Sequence, residues 1–249
     1  MKQKNKISAR EIETKFQVSF DTARRDLRIL EEQGLLKRTH GGAILLNNPE
    51  DDPRKKSSTY SKNADINKHI EAIALKAASV IEDKEVIFIN DPVFSEVFIN
   101  NVRKDITLTV VTNSIIVAEQ FRNFSNIQLF LRGGEIDDSG ICMDIFSVDI
   151  IRKMRFDKSF ITSTSISSKF GLSMQTNHSI NFLNAIIESS KESIGLYPSD
   201  RVGYESILSI CPANKLDVLI TNHDAPPAEI ENLNKQGVKI IIADDTCEE

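Results

Sequence analysis

The spacing of apolar residues near the amino end of the chain predicts a short helix. Ser8 opens this helix, and Glu11 stands three residues later, which is the spacing of a capping box. Ile12 and Phe16 then recur four residues apart, so that two apolar side chains share one side of the helix.

A second helix follows after only two residues. Ser19 can cap it, and Ala23, Leu27 and Leu30 recur at spacings of four and three, which predicts a buried stripe. Because the connection is so short, we expect the two helices to cross sharply, as they do in helix-turn-helix modules.

The next apolar positions predict a β-hairpin, the wing of such a module. Its turn is expected at Gly41-Gly42. Its apolar positions are Leu35, Leu36, Thr39, Ala43, Ile44 and Leu45, and its polar residues are Lys37, Arg38 and His40.

Three arginines of the second helix, Arg24, Arg25 and Arg28, fall mostly off the buried stripe. A guanidinium group can pair bidentately with guanine or grip phosphate, so this pattern predicts a helix that enters the major groove of DNA. The alternative is an ordinary solvated surface, on which acidic residues of the same helix neutralise the arginines.

The charge distribution favours DNA binding at the amino end. Residues 1–46 hold ten Lys or Arg against six Asp or Glu, a net of +4, and the remaining 203 residues hold 21 against 30, a net of −9. Positive charge in a small module attracts phosphates, whereas an acidic remainder is unsuited to nucleic acid.

No long apolar run or signal-peptide core occurs and the three cysteines are widely spaced, so we expect a soluble cytoplasmic protein without a metal or redox site.

The pattern changes at residues 47–66, a polar stretch with two prolines that predicts a linker between a DNA-binding domain (1–46) and a larger domain (67–249). In the larger domain, aliphatic runs alternate with helical patterns. This alternation predicts an α/β sandwich with a mostly parallel sheet covered on both faces. The expected strands are 86–89, 108–111, 127–131, 158–161, 193–196, 218–221 and 239–243, and the expected helices are 67–81, 94–102, 114–121, 147–154, 180–190 and 228–236.

In such sheets, ligands gather where strands end and loops begin. The polar strand ends are Asn90-Asp91, Thr112-Asn113-Ser114, the Arg132 to Glu135 stretch, and residues 163–168. Ser, Thr and Asn at a helix start are first of all caps, and a Gly pair is equally a turn signal. Together, these strand ends can line an anion pocket built from backbone amides and helix N-termini.

The second helix and the hairpin carry an ordered motif: Thr22, Arg24, Arg25, Asp26, Leu27, Gly34, His40, Gly41 and Gly42. This motif resembles the winged helix-turn-helix of the DeoR family of bacterial transcription regulators. The resemblance implies DNA contacts through Ser19, Thr22, Arg24 and Arg25, with Arg38 and His40 near the flanking backbone, and we add Arg28, Lys37, Gly41 and Gly42 as candidates. Family members usually begin with a further helix, so either translation starts upstream of Met1 or the module lacks that support.

Four stretches of the larger domain, 110–114, 132–135, 157–160 and 215–221, resemble the DeoR sensor domain. That domain is similar to ribose-5-phosphate isomerase, glucosamine-6-phosphate deaminase and CoA transferase folds, and it implies a phosphorylated sugar or related metabolite as effector. Two departures weaken a phosphate site: Pro92-Val93-Phe94-Ser95 replaces the small phosphate loop, and Asp200 stands beside Arg201. The candidate effector residues are Asn90, Asp91, Asn113, Gly134, Glu135, Asp157, Lys158, Ser199 and Arg201, although Asp157 and Lys158 can equally pair beside a strand without any ligand.

Three functions remain open at this point. The favoured one is a repressor of carbohydrate or related metabolic genes, which binds a double-stranded DNA operator as a homo-oligomer under the control of a metabolite. That metabolite is a phosphorylated sugar or a less anionic compound. The second is a degenerate regulator that has no ligand and acts through protein contacts. The third, an isomerase-like enzyme, is disfavoured because His69, His178 and His223 form no catalytic pattern. No cofactor, metal or membrane partner is expected.

Overall fold

The computed structural model describes residues 6–32, 36–39, 42–45, 64–137, 139–142, 145–177 and 179–243. Its contacts divide the chain into two compact units, Met1–Ser58 and Thr59–Glu249. None of the helices in these described ranges combines the length and the apolar character needed to cross a membrane.

The first unit combines two helices with a small antiparallel sheet. The elements are β1 (Lys6–Ser8), α1 (Ala9–Phe16), α2 (Phe20–Glu32), β2 (Leu36–Thr39) and β3 (Gly42–Leu45), and the sheet order is β1-β3-β2. Both helices and the hairpin are as predicted, and β1 was not predicted. The expected turn is wrong at Gly42, which pairs with Thr39 inside the hairpin and therefore belongs to β3. Gly41 lies outside the described residues.

The capping box at the start of α1 is confirmed. The backbone amide of Glu11 donates to Ser8 Oγ at 3.2 Å, and the amide of Ser8 donates to Glu11 Oε2 at 2.7 Å. The helix ends at Gln17, whose φ of 54° places it in the left-handed region and turns the chain towards α2. The two helices therefore meet through a short, defined turn.

The core of the first unit is the predicted stripe of α2. Ala23 and Leu27 are buried together with Ala43 of β3, and Leu30 packs against them partly buried. Phe16, by contrast, is 62% exposed, so the apolar side of α1 is only partly covered.

The second unit has a parallel sheet of seven strands in the order β13-β12-β10-β7-β4-β5-β6. All six pairings between its neighbouring strands are parallel, in agreement with the predicted α/β class. Its strands are β4 (Val86–Ile89), β5 (Leu108–Thr112), β6 (Ile127–Leu131), β7 (Phe156–Ile161), β10 (Ser190–Leu196), β12 (Val218–Asn222) and β13 (Lys239–Ala243). Its helices are α3 (Ala64–Ser79), α4 (Pro92–Asn101), α5 (Ile115–Phe121), α6 (Ile145–Arg152), α7 (Ile180–Glu188) and α8 (Pro227–Lys235).

Helices cover both faces of this sheet. Successive residues of a strand face opposite sides, so each strand contacts both layers of helices. Ile87 and Ile89 of β4 pack into a core with α3, α4 and α5, whereas Phe88 between them packs into a second core with α6, α7 and α8. The strand β4 thus serves two cores at once, which is why its sequence is apolar at every position.

A second, antiparallel sheet was not predicted. It consists of β8 (Ser165–Ser167), β9 (Gly171–Met174) and β11 (Leu208–Cys211), in the order β11-β9-β8. Its strands are short and rich in serine, so neither length nor apolar pattern distinguishes them from loops. In addition, α3 begins at Ala64, so the last residues assigned to the linker are helical.

Candidate functional site

Ser19 and Thr22 form the start of α2. The amide of Thr22 donates to Ser19 Oγ at 3.2 Å, the two hydroxyl oxygens are 2.8 Å apart, and the amide of Ala23 donates to the carbonyl of Ser19 at 2.9 Å. Ser19 is therefore the helix cap that its sequence position predicted. Both hydroxyl side chains are exposed at the N-terminal end of the helix.

The three arginines of α2 lie on its exposed side. At about 100° of rotation per residue, they fall within an arc of about 100°, away from Ala23 and Leu27. The Arg24 guanidinium lies 5.8 Å from the centre of the Phe20 ring. Among the described residues, no ion pair involves these arginines, so the helix presents their positive charge to the solvent.

The wing candidates are described only in part. Lys37 and Arg38 belong to β2, but their side chains, like His40 and Gly41 altogether, lie outside the described residues. Gly42 has a structural role: a Cβ built there would lie 2.0 Å from the carbonyl oxygen of Ile7 and 2.6 Å from Ser8 Cα. Only glycine lets β3 approach β1 this closely.

In the second unit, three polar residues form a row at the carboxyl edge of the sheet. Asn90, Asn113 and Arg132 are the first residues after β4, β5 and β6, and these strands are neighbours in the sheet. Phe88 pairs in register with Val111 and Thr112 with Leu131, which places all three residues at one level. Neighbouring strands are about 4.8 Å apart, so the row is compact.

Each residue of this row has a buried polar atom without a hydrogen-bond partner. These atoms are Asn90 Oδ1, Asn113 Oδ1 and Arg132 Nε. For Asn113 the choice of oxygen follows from its other contact, because Nδ2 donates to the carbonyl of Cys142 at 2.9 Å. Two more such atoms, Thr221 Oγ1 and Asn222 Oδ1, lie at the carboxyl end of β12, whereas Ser159 Oγ lies inside β7. Buried polar groups are usually paired, so their concentration at one edge marks a candidate ligand site.

The helix N-termini beside this row already have acceptors from the protein itself. Asp91 Oδ1 accepts hydrogen bonds from the amides of Val93 at 2.9 Å and Phe94 at 3.4 Å, and Pro92 has no amide hydrogen. At α5, Ser114 Oγ accepts from the amide of Val117 at 3.3 Å, and the amide of Ile115 donates to Gly140. Asp91 thus acts as a cap, and its carboxylate occupies the place where an anion would bind α4.

A second polar group surrounds the carboxyl ends of β7 and β10. The hydroxyls of Ser163 and Tyr197 are 2.6 Å apart, and Arg201 Nη1 donates to the carbonyl of Ser163 at 3.5 Å. Burial raises the pKa of Tyr197 far above its usual value, so this phenol stays protonated. Arg201 is only 8% exposed. Of the predicted residues, Arg201 and Ser199 belong to this group.

The structure also brings His69 to this edge, which the sequence pattern did not indicate. His69 lies on α3, with Nδ1 3.5 Å from Ser199 Oγ and Nε2 3.9 Å from a carboxylate oxygen of Asp224. Asn222 Nδ2 donates to the carbonyl of His69 at 3.3 Å. In the sequence, the two polar residues that end the apolar run of β12, Thr221 and Asn222, could have indicated a site at this strand end.

Asp157 and Lys158 must be removed from the candidate effector group. They lie at the amino end of β7, because Lys158 pairs in register with Ile87 near the start of β4. Lys158 forms an ion pair with Glu85, and Asp157 accepts hydrogen bonds from the Val86 amide at 2.8 Å and from Lys191 at 2.7 Å. The Lys191 ammonium and this amide hold the pKa of Asp157 below its usual value. Both residues connect strands at the edge opposite to the row.

Gly134 and Glu135 follow the row in the loop after β6. Both are exposed, and nothing in the described contacts turns Glu135 towards Asn90 or Asn113. The structure therefore groups Asn90, Asp91 and Asn113 with Arg132, and places Ser199 and Arg201 in the neighbouring group around β10.

Two family descriptions match this chain. The DeoR-like helix-turn-helix domain matches residues 1–48, and the DeoR C terminal sensor domain matches residues 67–223, which is more than half of the chain. The chain belongs to the DeoR family. Its DeoR sensor match spans six of the seven strands of the parallel sheet, and its helix-turn-helix match contains α1, α2 and the hairpin.

DeoR-family relatives match nearly the whole chain. The HTH-type transcriptional repressor GlcR of Bacillus subtilis (strain 168) is 28% identical over 248 residues, which cover 98% of this chain and 93% of the relative. The glycerol-3-phosphate regulon repressor of Escherichia coli (strain K12) is 30% identical over 233 residues, covering 91% and 88%. Among solved structures, the probable sor operon regulator from Shigella flexneri matches with a TM-score of 0.45 and 11% identity, covering 75% of this chain and 99% of that chain. This chain is a DNA-binding transcriptional regulator with a carboxyl-terminal sensor domain.

Proposed function

We propose that the protein represses genes of carbohydrate metabolism by inserting α2 into the major groove of an operator. The observation that carries this proposal is the two-sided character of α2. Ala23 and Leu27 fix one side in the core of the first unit, and Arg24, Arg25 and Arg28 are exposed on the other. Guanidinium groups on a helix supported from behind suit both phosphates and guanine edges.

The DNA contacts are tested by titrating the full chain with duplexes tiled across the DNA around its own gene, using fluorescence anisotropy. Affinity should fall steeply with salt, because arginine contacts release counterions from phosphates. The variants Arg24→Ala and Arg25→Ala should each lose about tenfold in affinity. Arg122→Ala is the matched control, since Arg122 is an exposed arginine of the second unit that pairs with Glu119. Unchanged binding by the double variant would remove these side chains from the mechanism.

We further infer that a metabolite bound at the carboxyl edge of the sensor sheet controls DNA binding. The unpartnered atoms of Asn90, Asn113 and Arg132 support this location, with Asp91 nearby and Ser199 and Arg201 as the neighbouring group. A homo-oligomer brings two reading helices to neighbouring grooves, so a ligand that changes their spacing changes affinity. Such a repressor acts in the cytoplasm, where it meets its operator.

We infer no catalytic role for the sensor edge. The relatives named above are transcriptional regulators. Turnover of a sugar phosphate by the purified chain would contradict this inference.

A further inference from the structure

The strand β6 forms one edge of the parallel sheet. Among the residues that the structure describes, it pairs only with β5. The amide of Arg132 donates to the carbonyl of Thr112 at 2.7 Å, so the even-numbered positions of this strand bond inwards. Because the backbone groups of a strand alternate in direction, those of Leu129 and Leu131 point away from the sheet.

The sequence of β6 does not protect this edge. Ile127–Leu131 contains no charged residue and no proline, which are the usual means of preventing an exposed edge from pairing with another chain. The strand at the opposite edge, β13, begins with the exposed Lys239. The edge at β6 therefore favours the addition of a further strand.

The carboxyl end of β6 carries exposed apolar side chains. Ile127 and Leu129 pack against the core under α4 and α5, so Leu131, two residues further on, lies on the same face of the sheet. Leu131 is 43% exposed and pairs in register with Thr112. Shortly after Thr112, the start of α5 adds two more exposed apolar side chains, those of Ile115 and Ile116.

The amino end of β6 has a groove instead. Its volume is about 110 Å³, and its apolar lining consists of Ile99, Val102, Phe124 and Ile127. An apolar cavity of about 150 Å³ holds one benzene molecule in general, so this groove has the size of one aliphatic side chain. One end of β6 thus offers a side chain of the kind that the other end can accept.

We infer that the sensor domain dimerises through β6, which pairs antiparallel with β6 of a second copy of this chain. This inference rests on the proposed function, since it names the surface that joins the homo-oligomer. A two-fold axis perpendicular to the sheet at Leu129 pairs Leu129 with its own copy, and Leu131 with Ile127 of the second copy. Each Leu131 then enters the groove beside the other Ile127, and the contact occurs twice.

The charge and the size of this surface agree with a second copy as the partner. The strand brings no like charges together, and Glu135, which is exposed shortly after Leu131, approaches the exposed Lys104 beside the groove of the other copy. A standard interface uses about 20 residues per partner. The strand β6, the loop after it, the start of α5 and the groove together supply about that number.

This interface adjoins the candidate ligand site. Arg132, the last member of the row with Asn90 and Asn113, directly follows Leu131. A ligand that binds the row therefore contacts the strand that joins the two subunits. Binding of the effector and the spacing of the subunits are coupled through β6.

The association is tested by sedimentation equilibrium of the full chain over a range of concentrations. The wild-type chain should be at least a dimer. Leu131→Lys places a charge in the apolar groove of the partner and should raise the dissociation constant at least about tenfold. Ile207→Lys, before β11, and Ile242→Lys, on β13, are matched controls, since both residues are exposed isoleucines away from β6. A monomeric wild type, or equal association of Leu131→Lys and the controls, would overturn the inference.

The register is tested by oxidation, which does not depend on the stability of Leu131→Lys. Leu129 faces its own copy across the axis, so Leu129→Cys should form a disulfide-linked dimer. The two copies of Gln128 lie on a diagonal, about 7 to 8 Å apart, so Gln128→Cys should not. Both variants carry Cys247→Ser, and Cys142 and Cys211 are buried. Equal cross-linking of the two variants, or none, contradicts the antiparallel pairing.

DNA titration of the same preparations separates this inference from the proposed function. Operator binding by a wild-type dimer that Leu131→Lys does not weaken refutes the β6 interface and leaves the repressor function intact. A dimer that Leu131→Lys dissociates, but that binds no operator at low salt, supports the interface and refutes the proposed function.

Discussion

Replacing Lys158 with methionine should destabilise the second unit, because the carboxylate of Glu85 would then lack its counterion. Lys158 and Glu85 form an ion pair whose side chains are 10% and 12% exposed. Methionine keeps the apolar stem and removes the ammonium group, so Glu85 loses its counterion in a poorly solvated place. Glu85 cannot simply turn outwards without a further loss, because its Oε2 accepts a hydrogen bond from the Glu82 amide at 2.9 Å.

The expected cost is about 3 kcal/mol, the lower end of the range for breaking a buried ion pair, because both side chains retain some exposure. Urea unfolding of the full chain, followed by far-ultraviolet circular dichroism, should then show a midpoint lower by about 1 M at a slope of about 3 kcal/mol/M. The double variant Lys158→Met/Glu85→Gln should recover most of this loss, since no unpaired charge remains.

Lys191→Met is the control for the loss of a lysine at the same edge. Lys191 also pairs with an acid, Asp157, but its side chain is 75% exposed, so its replacement should move the midpoint far less. An unchanged midpoint for Lys158→Met, or a double variant as unstable as the sum of its single changes, would refute the reasoning. If Lys158 contacted the effector instead, Lys158→Met would lose the ligand response while keeping its stability.

Two further predictions concern other contacts. The folded pKa of Asp157 is lowered from the ordinary 3.8, so its ion pair with Lys191 stabilises the protein above that pH and is lost as pH falls through the lowered value. Asp157→Asn should therefore have a lower melting temperature than wild type at neutral pH. In pH-dependent melting curves, this difference should close below about pH 4. Gly42→Ala should lower the free energy of unfolding of the first unit by about 2 kcal/mol and weaken operator binding, because the new Cβ overlaps Ile7 and Ser8 of β1. Gly133→Ala is the control, since a Cβ there meets nothing within 4 Å, and it should leave DNA binding unchanged. Equal DNA binding by the two variants would contradict the β1 contact.

Local patterns predicted most of the elements of this fold. The capping residues Ser8 and Ser19 and the stripe through Ala23 and Leu27 predicted the helices of the first unit. In the second unit, the aliphatic runs predicted all seven strands of the parallel sheet, because strands buried on both faces are apolar at successive positions. The serine-rich strands of the small sheet carry no such signal and were missed.

The amino-acid sequence by itself determined the class of the fold, the buried stripe of α2 and the polar character of the strand ends, since each depends on residues near one another in the chain. The tertiary structure alone decided which strand ends are neighbours. Strand order joins Asn90, Asn113 and Arg132 in one row, brings His69 to Ser199 from a distant helix, and puts Asp157 and Lys158 at the opposite edge. Adjacency across a sheet is set by long-range pairing, which leaves no periodic trace along the chain.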